Sequence, residues 1–170
     1  MKHSLVAAVL ALLFAACASG PPKPKYMEEK NQAKFATEKE MKAHADDVLR
    51  AARAVLDRLT QDSTPQASSA VQSEDNSVYT GWVYNPVSRD KYVRYDYNGA
   101  PLRKDLAVRR IYGFEVKPSL AGSHVKMSVE EEIQQIDMKT GEPDGWKRVE
   151  PEQAAYDMLF HKLQEAVRAE

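Results

Sequence analysis

The residues able to do chemistry are few, and the first is a thiol. Cys17 is the chain's one cysteine, so neither an intrachain disulfide nor an all-cysteine metal site can form. It closes an unbroken apolar run, Leu5–Ala16, and is flanked by the small residues Ala15-Ala16 and Ala18-Ser19-Gly20. A thiol placed there can act as the nucleophile for a thioether; left unpaired in an oxidising compartment it would be a liability. The other candidates are titratable. Asp157, His161 and Glu165 stand at i, i+4 and i+8. Three ligands in line along a helix cannot wrap one ion, so they are expected to form a solvated charged face. Glu40 with His44 reads the same way, and His124, beside a turn, reads as a surface residue. Glu130-Glu131-Glu132 on a strand would point to alternate faces and would not converge on calcium. There is no Gly-x-Ser-x-Gly, no His-Glu-x-x-His and no glycine-rich loop ahead of a helix. A carboxylate pair for glycoside hydrolysis is singled out by nothing among the 25 acids. The expectation is a non-enzymatic protein with no catalytic residue, metal or cofactor.

A second constellation is suited to contact rather than catalysis. Arg89, Lys91, Arg94, Arg103, Lys104, Arg109 and Arg110 outnumber Asp90, Asp96 and Asp105, with tyrosines and a tryptophan interleaved. The residues expected to form an interaction surface are Trp82, Tyr84, Tyr92, Arg94, Tyr95, Arg109 and Arg110, because Tyr, Trp and Arg suit interfaces. The bland reading is that aromatic residues favour strands and that Lys and Arg guard sheet edges. Residues 128–157 carry nine acids against three bases, so the near-neutral total of 24 Lys+Arg and 25 Asp+Glu is the sum of opposed regions. That balance argues against a dedicated nucleic-acid binder.

The N-terminus gives an address. Lys2 and His3 precede twelve apolar residues. As a helix these cover roughly 18 Å, short of the ~30 Å hydrocarbon core, so the run reads as a secretory signal over residues 1–16 and not as a membrane span. Phe14-Ala15-Ala16-Cys17 resembles a bacterial lipobox, with Phe14 where Leu is commoner. The resemblance implies lipidation of Cys17, and Ala18 rather than Asp after it favours the outer membrane over the inner. The competing reading is ordinary cleavage after Ala18 in Ala16-Cys17-Ala18, an A-x-A pattern. Residues 17–36 then form a Pro-, Gly- and charge-rich tether, about 60 Å long if its nineteen residues after Cys17 are pulled straight. Lys23, Lys25 and Lys30 are offset by Glu28 and Glu29, which reads as plain spacer.

A single domain, residues 37–170, must position the contact residues. Thr37-Glu38-Lys39-Glu40 has the form of a capping box, and Met41, Ala45, Val48, Ala52, Val55 and Leu59 follow at helical spacing, so a helix is expected from Thr37 to the polar run that contains Pro65. The period then becomes two. Val71 sits in a short strand, Glu74–Ser77 form a turn, and Val78–Tyr84 alternate. Asn85-Pro86 breaks the pattern before a weaker strand over Tyr92–Tyr97, and Asn98–Pro101 ends it. Leu106, Val108, Arg110, Tyr112, Phe114 and Val116 share one strand face, and Val125, Met127, Val129 and Ile133 share another. Glu131 falls on that second apolar face, which predicts a bulge or an edge. Gly141–Gly145 read as a turn, Trp146–Val149 as a last short strand, and Tyr156, Leu159, Phe160 and Leu163 as the buried stripe of a closing helix begun by Pro151. The expected fold is α+β in two layers: an antiparallel sheet of about five strands with an N-terminal and a C-terminal amphipathic helix on one face.

This order, together with Leu56-Asp57-Arg58-Leu59, Val78-Tyr79-Thr80-Gly81-Trp82-Val83, Gly145-Trp146 and Tyr156-x-x-Leu159-Phe160-x-x-Leu163, resembles the helix-grip domains of outer-membrane lipoproteins related to BamC. BamC is an accessory subunit of the outer-membrane protein insertion machine. The resemblance implies a periplasm-facing, outer-membrane lipoprotein that serves as an accessory or adapter in envelope assembly. Its partners would be the membrane, through the lipid anchor, and envelope proteins. The alternative is a module that binds peptidoglycan or lipid through the Tyr/Arg strands.

Overall fold

The long alternation over residues 106–133 dictates the frame. The computed structural model describes residues 25–26, 37–62, 70–97, 100–138 and 140–169. The signal, Cys17, most of the tether, the Pro65 run and the Asn98-Gly99 break lie outside these. The elements are β1 (Lys25–Tyr26), β2 (Glu38–Met41), α1 (Ala45–Gln61), β3 (Val71–Glu74), β4 (Ser77–Thr80), β5 (Val83–Tyr97), β6 (Ala100–Ser119), β7 (Gly122–Ile136), β8 (Pro143–Val149) and α2 (Gln153–Ala169). The protein is α+β, with an open antiparallel sheet and two helices. Among the described residues the sheet has eight strands rather than about five.

β6 and β7 are its spine, paired continuously from Val108↔Ile133 to Ser119↔Gly122. On the other edge of β6, β4 pairs with its C-terminal half and β5 with its N-terminal half. β7 pairs with β2 near its start and β8 near its end. The extra strands come from residues without strong alternation. β2 is built from Glu38-Lys39-Glu40-Met41, the segment that resembled a capping box. That expectation is corrected: the helix begins at Ala45, and its N-cap residue, His44, makes no side-chain cap. The backbone of Glu38–Met41 instead covers the open edge of β7, an edge whose unpaired groups would otherwise face solvent. Gly122 permits the approach. At φ +136° it lies beside β2's end, where a Cβ would collide with the Met41 carbonyl oxygen.

Asn85-Pro86 does not break the chain into two strands either. β5 runs through it with register shifts between Asn85 and Ser88 and between Ser88 and Tyr92. Bulges accommodate a proline because the bulged residue has no ladder partner to lose. A third irregularity divides β4 from β5 at Gly81-Trp82, and there the Tyr112 N–H donates to the buried Thr80 hydroxyl at 3.0 Å. A side chain thus satisfies a donor that the ladder leaves over.

The even-numbered residues of β6 build the core. Tyr112, Phe114 and Val116 join Val125, Met127 and Val129 of β7 beneath Val48, Ala52, Val55 and Leu56 of α1 and Tyr156, Leu159 and Leu163 of α2. Each fully buried aliphatic or aromatic side chain here contributes about 1.5–3 kcal/mol of transfer free energy. Toward the other end of the same strands, Val93, Leu106, Val108, Ile133 and Ile136 form a second, smaller cluster with Tyr95, Met138 and Val149. No helix among the described residues is long and apolar enough to cross a membrane.

Candidate interaction surfaces and the buried charge bridge

β6 and β7 place two Arg–Glu pairs side by side, Arg109↔Glu132 and Arg110↔Glu131. Because strand side chains alternate, the two pairs face opposite sides of the sheet. Arg110 and Glu131 face inward, at the meeting of the two apolar clusters. The Glu131 side chain is 1% exposed, and its Oε2 accepts from Arg110 Nε in a short ion pair. Its other oxygen lies 3.2 Å from Lys91 Nζ, whose hydrogen bond goes to Glu152 at 2.8 Å just ahead of α2. This corrects the expectation at Glu131: there is no bulge, and β7 is not an edge there, being paired with β6 on one side and with Val149 of β8 on the other. The carboxylate can point inward because two cations meet it. One of these, Lys91, stands at the end of the second β5 bulge and reaches across β6.

Burial by itself would lower the pKa of Lys91. The hydrogen bond to Glu152 and the charge of Glu131 outweigh it, and the ammonium is held above its ordinary value. Burial raises the Tyr112 phenol, against the opposing effect of Arg110. Two clefts flank the bridge. One of about 260 Å³ lies between Leu59 of α1 and Val83–Pro86, and one of about 200 Å³ lies between Lys91 and Ala155 of α2; Arg110 and Tyr112 line both. All four charges of the bridge are engaged with one another, which suits it to fixing α2 and β5 against the sheet. Among the described residues no three His, Cys, Asp or Glu side chains gather to hold a metal ion.

Arg109 faces outward. Its guanidinium carbon lies 4.4 Å from the centre of the Trp82 ring and 4.5 Å from that of Trp146, and its Nε donates to Glu132 Oε2 at 2.7 Å. Tyr84 meets Trp146 edge to face at 6.0 Å. Cation–π contact on both faces and a carboxylate at the edge hold the guanidinium in one place. All four side chains around Glu132 are half-buried, leaving an aromatic surface with its charge pre-positioned.

The seven surface candidates are therefore divided three ways. Trp82, Tyr84 and Arg109 come together. Tyr92 and Arg94 form a second outward group with Arg103, whose guanidinium carbon is 4.1 Å from the Tyr92 ring centre, while that of Arg94 is at 5.3 Å. Arg110 and Tyr95 belong to the interior, the latter packed against the second apolar cluster. Trp146 is the member that sequence reasoning missed. Its place on a last short strand was legible, but the pairing of that strand with β7, which brings Trp146 beside Glu132 and Arg109, has no local signal.

His124 is on the surface, 2.9 Å from Glu40 through Nδ1 and 3.5 Å from Glu38 through Nε2. Ser119 and His124 hold the Glu40 carboxyl below its ordinary range. His161 and Glu165 pair in solvent at 3.2 Å, and Asp157 accepts from Gln153. The open antiparallel sheet with two helices defines the class of this protein as α+β. No family model and no curated protein matches the chain.

Proposed function

We propose that this chain is a lipid-anchored, periplasm-facing outer-membrane protein of the helix-grip kind, related to the BamC-like lipoproteins, that acts without catalysis as an accessory or adapter in envelope assembly. The anchor reading is supported by a lone cysteine at the one position where a lipobox needs it. The adapter reading is carried by one observation. The buried residues of both helices share a cluster with the inward residues of β6 and β7, whereas Trp82, Arg109 and Trp146 stand on the opposite face. An immobilised cation between two indoles is the composition of an interface centre, where Trp, Tyr and Arg contribute most.

The test has two parts. Cys17→Ser is expected to remove the acyl mass and release the protein from membranes; retention with an unchanged mass overturns the anchor. Photocrosslinkers at Trp82 and at Lys162 on exposed α2 are then compared in intact cells. Crosslinks to an envelope-assembly protein are expected at Trp82, lost with Arg109→Glu and absent at Lys162. Equal yields at the two positions, or none at Trp82, overturn the adapter reading.

A further inference from the structure

The second outward group, around Tyr92, lies where the tether rejoins the fold. Lys25 and Tyr26 pair with Arg94 and Val93 on the outer edge of β5. Lys25 is eight residues beyond Cys17, so the two α-carbons are at most about 29 Å apart. We propose that the β5–β6 hairpin around Tyr92 docks on anionic phospholipid headgroups of the membrane that holds the anchor; this rests on the lipoprotein reading of Cys17.

Three features fit that occupant. The first is the short span from Cys17, which keeps this end of the hairpin beside the bilayer and leaves the far end of β6 free to stand away. The second is charge. Arg94 and Arg103 gather at Tyr92, and Arg103 Nη2 donates to the backbone carbonyl of the exposed Arg89 at 2.9 Å. Asp105 accepts from Arg103 at 3.0 Å and Asp90 is exposed beside Arg89, yet neither Arg89 nor Arg94 forms an ion pair among the described residues. Guanidinium groups take phosphate oxygens in bidentate fashion, and juxtamembrane arginines are drawn to anionic leaflets. The third is apolar surface. Leu102, 41% exposed, lies opposite Tyr95 on the other face of the hairpin from Arg94 and Arg103, and Val87, 59% exposed, lies in the adjoining bulge. A strand pair with phosphate-seeking cations and a tyrosine on one face and an exposed leucine on the other suits the headgroup boundary, where polar and apolar groups meet.

The molecule supplies its own control. Leu120, fully exposed, follows the opposite end of β6, about 60 Å away along an extended strand. The full chain carrying Leu102→Cys or Leu120→Cys is labelled with an environment-sensitive fluorophore. It is then reconstituted in phosphatidylcholine vesicles with or without phosphatidylglycerol, with spin-labelled lipid as quencher. Quenching is expected at position 102 only when phosphatidylglycerol is present, is weakened by salt, and does not occur at 120. Arg94→Glu with Arg103→Glu should lower the docked fraction at least roughly tenfold, with the thermal midpoint confirming that the variant is folded. Equal quenching at both positions, quenching at 102 indifferent to phosphatidylglycerol, or none at 102 overturns the proposal. So does a fluorescence shift on purified sacculi without one on vesicles, which would assign the surface to glycan. The mass of the N-terminal peptide reports the anchor separately. An acylated Cys17 with no quenching sinks the docking alone, and an unacylated Cys17 sinks the anchor whatever the label does.

Discussion

Arg109 and Arg110 are adjacent in sequence, each opposite a glutamate in the same β6–β7 ladder, and the two sides of the sheet treat them differently. On the inner side, Arg110 and Lys91 neutralise a carboxylate that is out of reach of water. On the outer side, Arg109 is held by Trp82, Trp146 and Glu132 while still half-exposed. The same cross-strand pair is thus a structural bridge when it points inward and a pre-organised contact when it points outward. The physical reason is the cost of separation. Outside, water or a partner's carboxylate can replace Glu132. Inside, nothing replaces Glu131 for Arg110, and Lys91 is left with Glu152 alone.

The largest expected effect follows directly. Glu131→Ala leaves Arg110 uncompensated and Lys91 with Glu152 alone, and should cost about 3–5 kcal/mol of unfolding free energy, whereas Glu132→Ala, on the solvated side, should cost about 1 kcal/mol or less. Urea denaturation of the two variants reads the difference. The double substitution Arg110→Met with Glu131→Leu should recover most of the loss, because removing both partners avoids the stranded charge. Equal losses for Glu131→Ala and Glu132→Ala would erase the distinction between the two faces.

A smaller effect is expected on the outer side. Arg109→Ala removes two cation–π contacts and an ion pair and should cost roughly 1–2 kcal/mol. Arg109→Lys should recover only part of this, since an ammonium cannot lie flat between two indoles while meeting Glu132 edge-on. Trp146 fluorescence, compared in the presence and absence of Trp82, should respond to the same substitutions.

The inner and outer faces of β6 and β7 were legible because their alternation is long: Leu106–Val116 and Val125–Ile133 each state which side is buried. The closing helix was legible for the same reason, through Tyr156, Leu159 and Leu163. What escaped was whatever depends on pairing across the chain. Glu38–Met41 reads locally as a helix start, and only the open edge of β7 makes it a strand. Glu131 reads as a misfit because its partners lie 21 and 40 residues upstream, one of them at a bulge whose position no periodicity marks. Lys91 was counted among surface charges, and nothing in its neighbours says that it turns inward. The aromatic and basic residues were the right composition for a surface, but composition cannot divide them into Trp82–Arg109–Trp146, Tyr92–Arg94–Arg103 and the inward Arg110.

The finest difference between the faces should appear in pH dependence. Lys91 is held above its ordinary value in the folded state, so the stability it contributes is complete at neutral pH and is lost as pH rises above about 10 and through the folded value. Tyr112, an acid whose folded value is also raised, adds in the same direction, because the unfolded chain loses its phenolic proton first. Glu40, on the outer face, runs the other way. Its lowered value gives a contribution present at neutral pH and lost as pH falls through the acid range. Lys91→Met should therefore flatten the alkaline limb of a stability–pH curve and leave the acid limb in place, and Tyr112→Phe should act in the same sense. Glu40→Gln should flatten only the acid limb, and weakly, since its carboxylate is exposed. A Lys91→Met curve parallel to the parent's above pH 10 would show that neither Glu152 nor Glu131 makes Lys91 the source of the alkaline sensitivity.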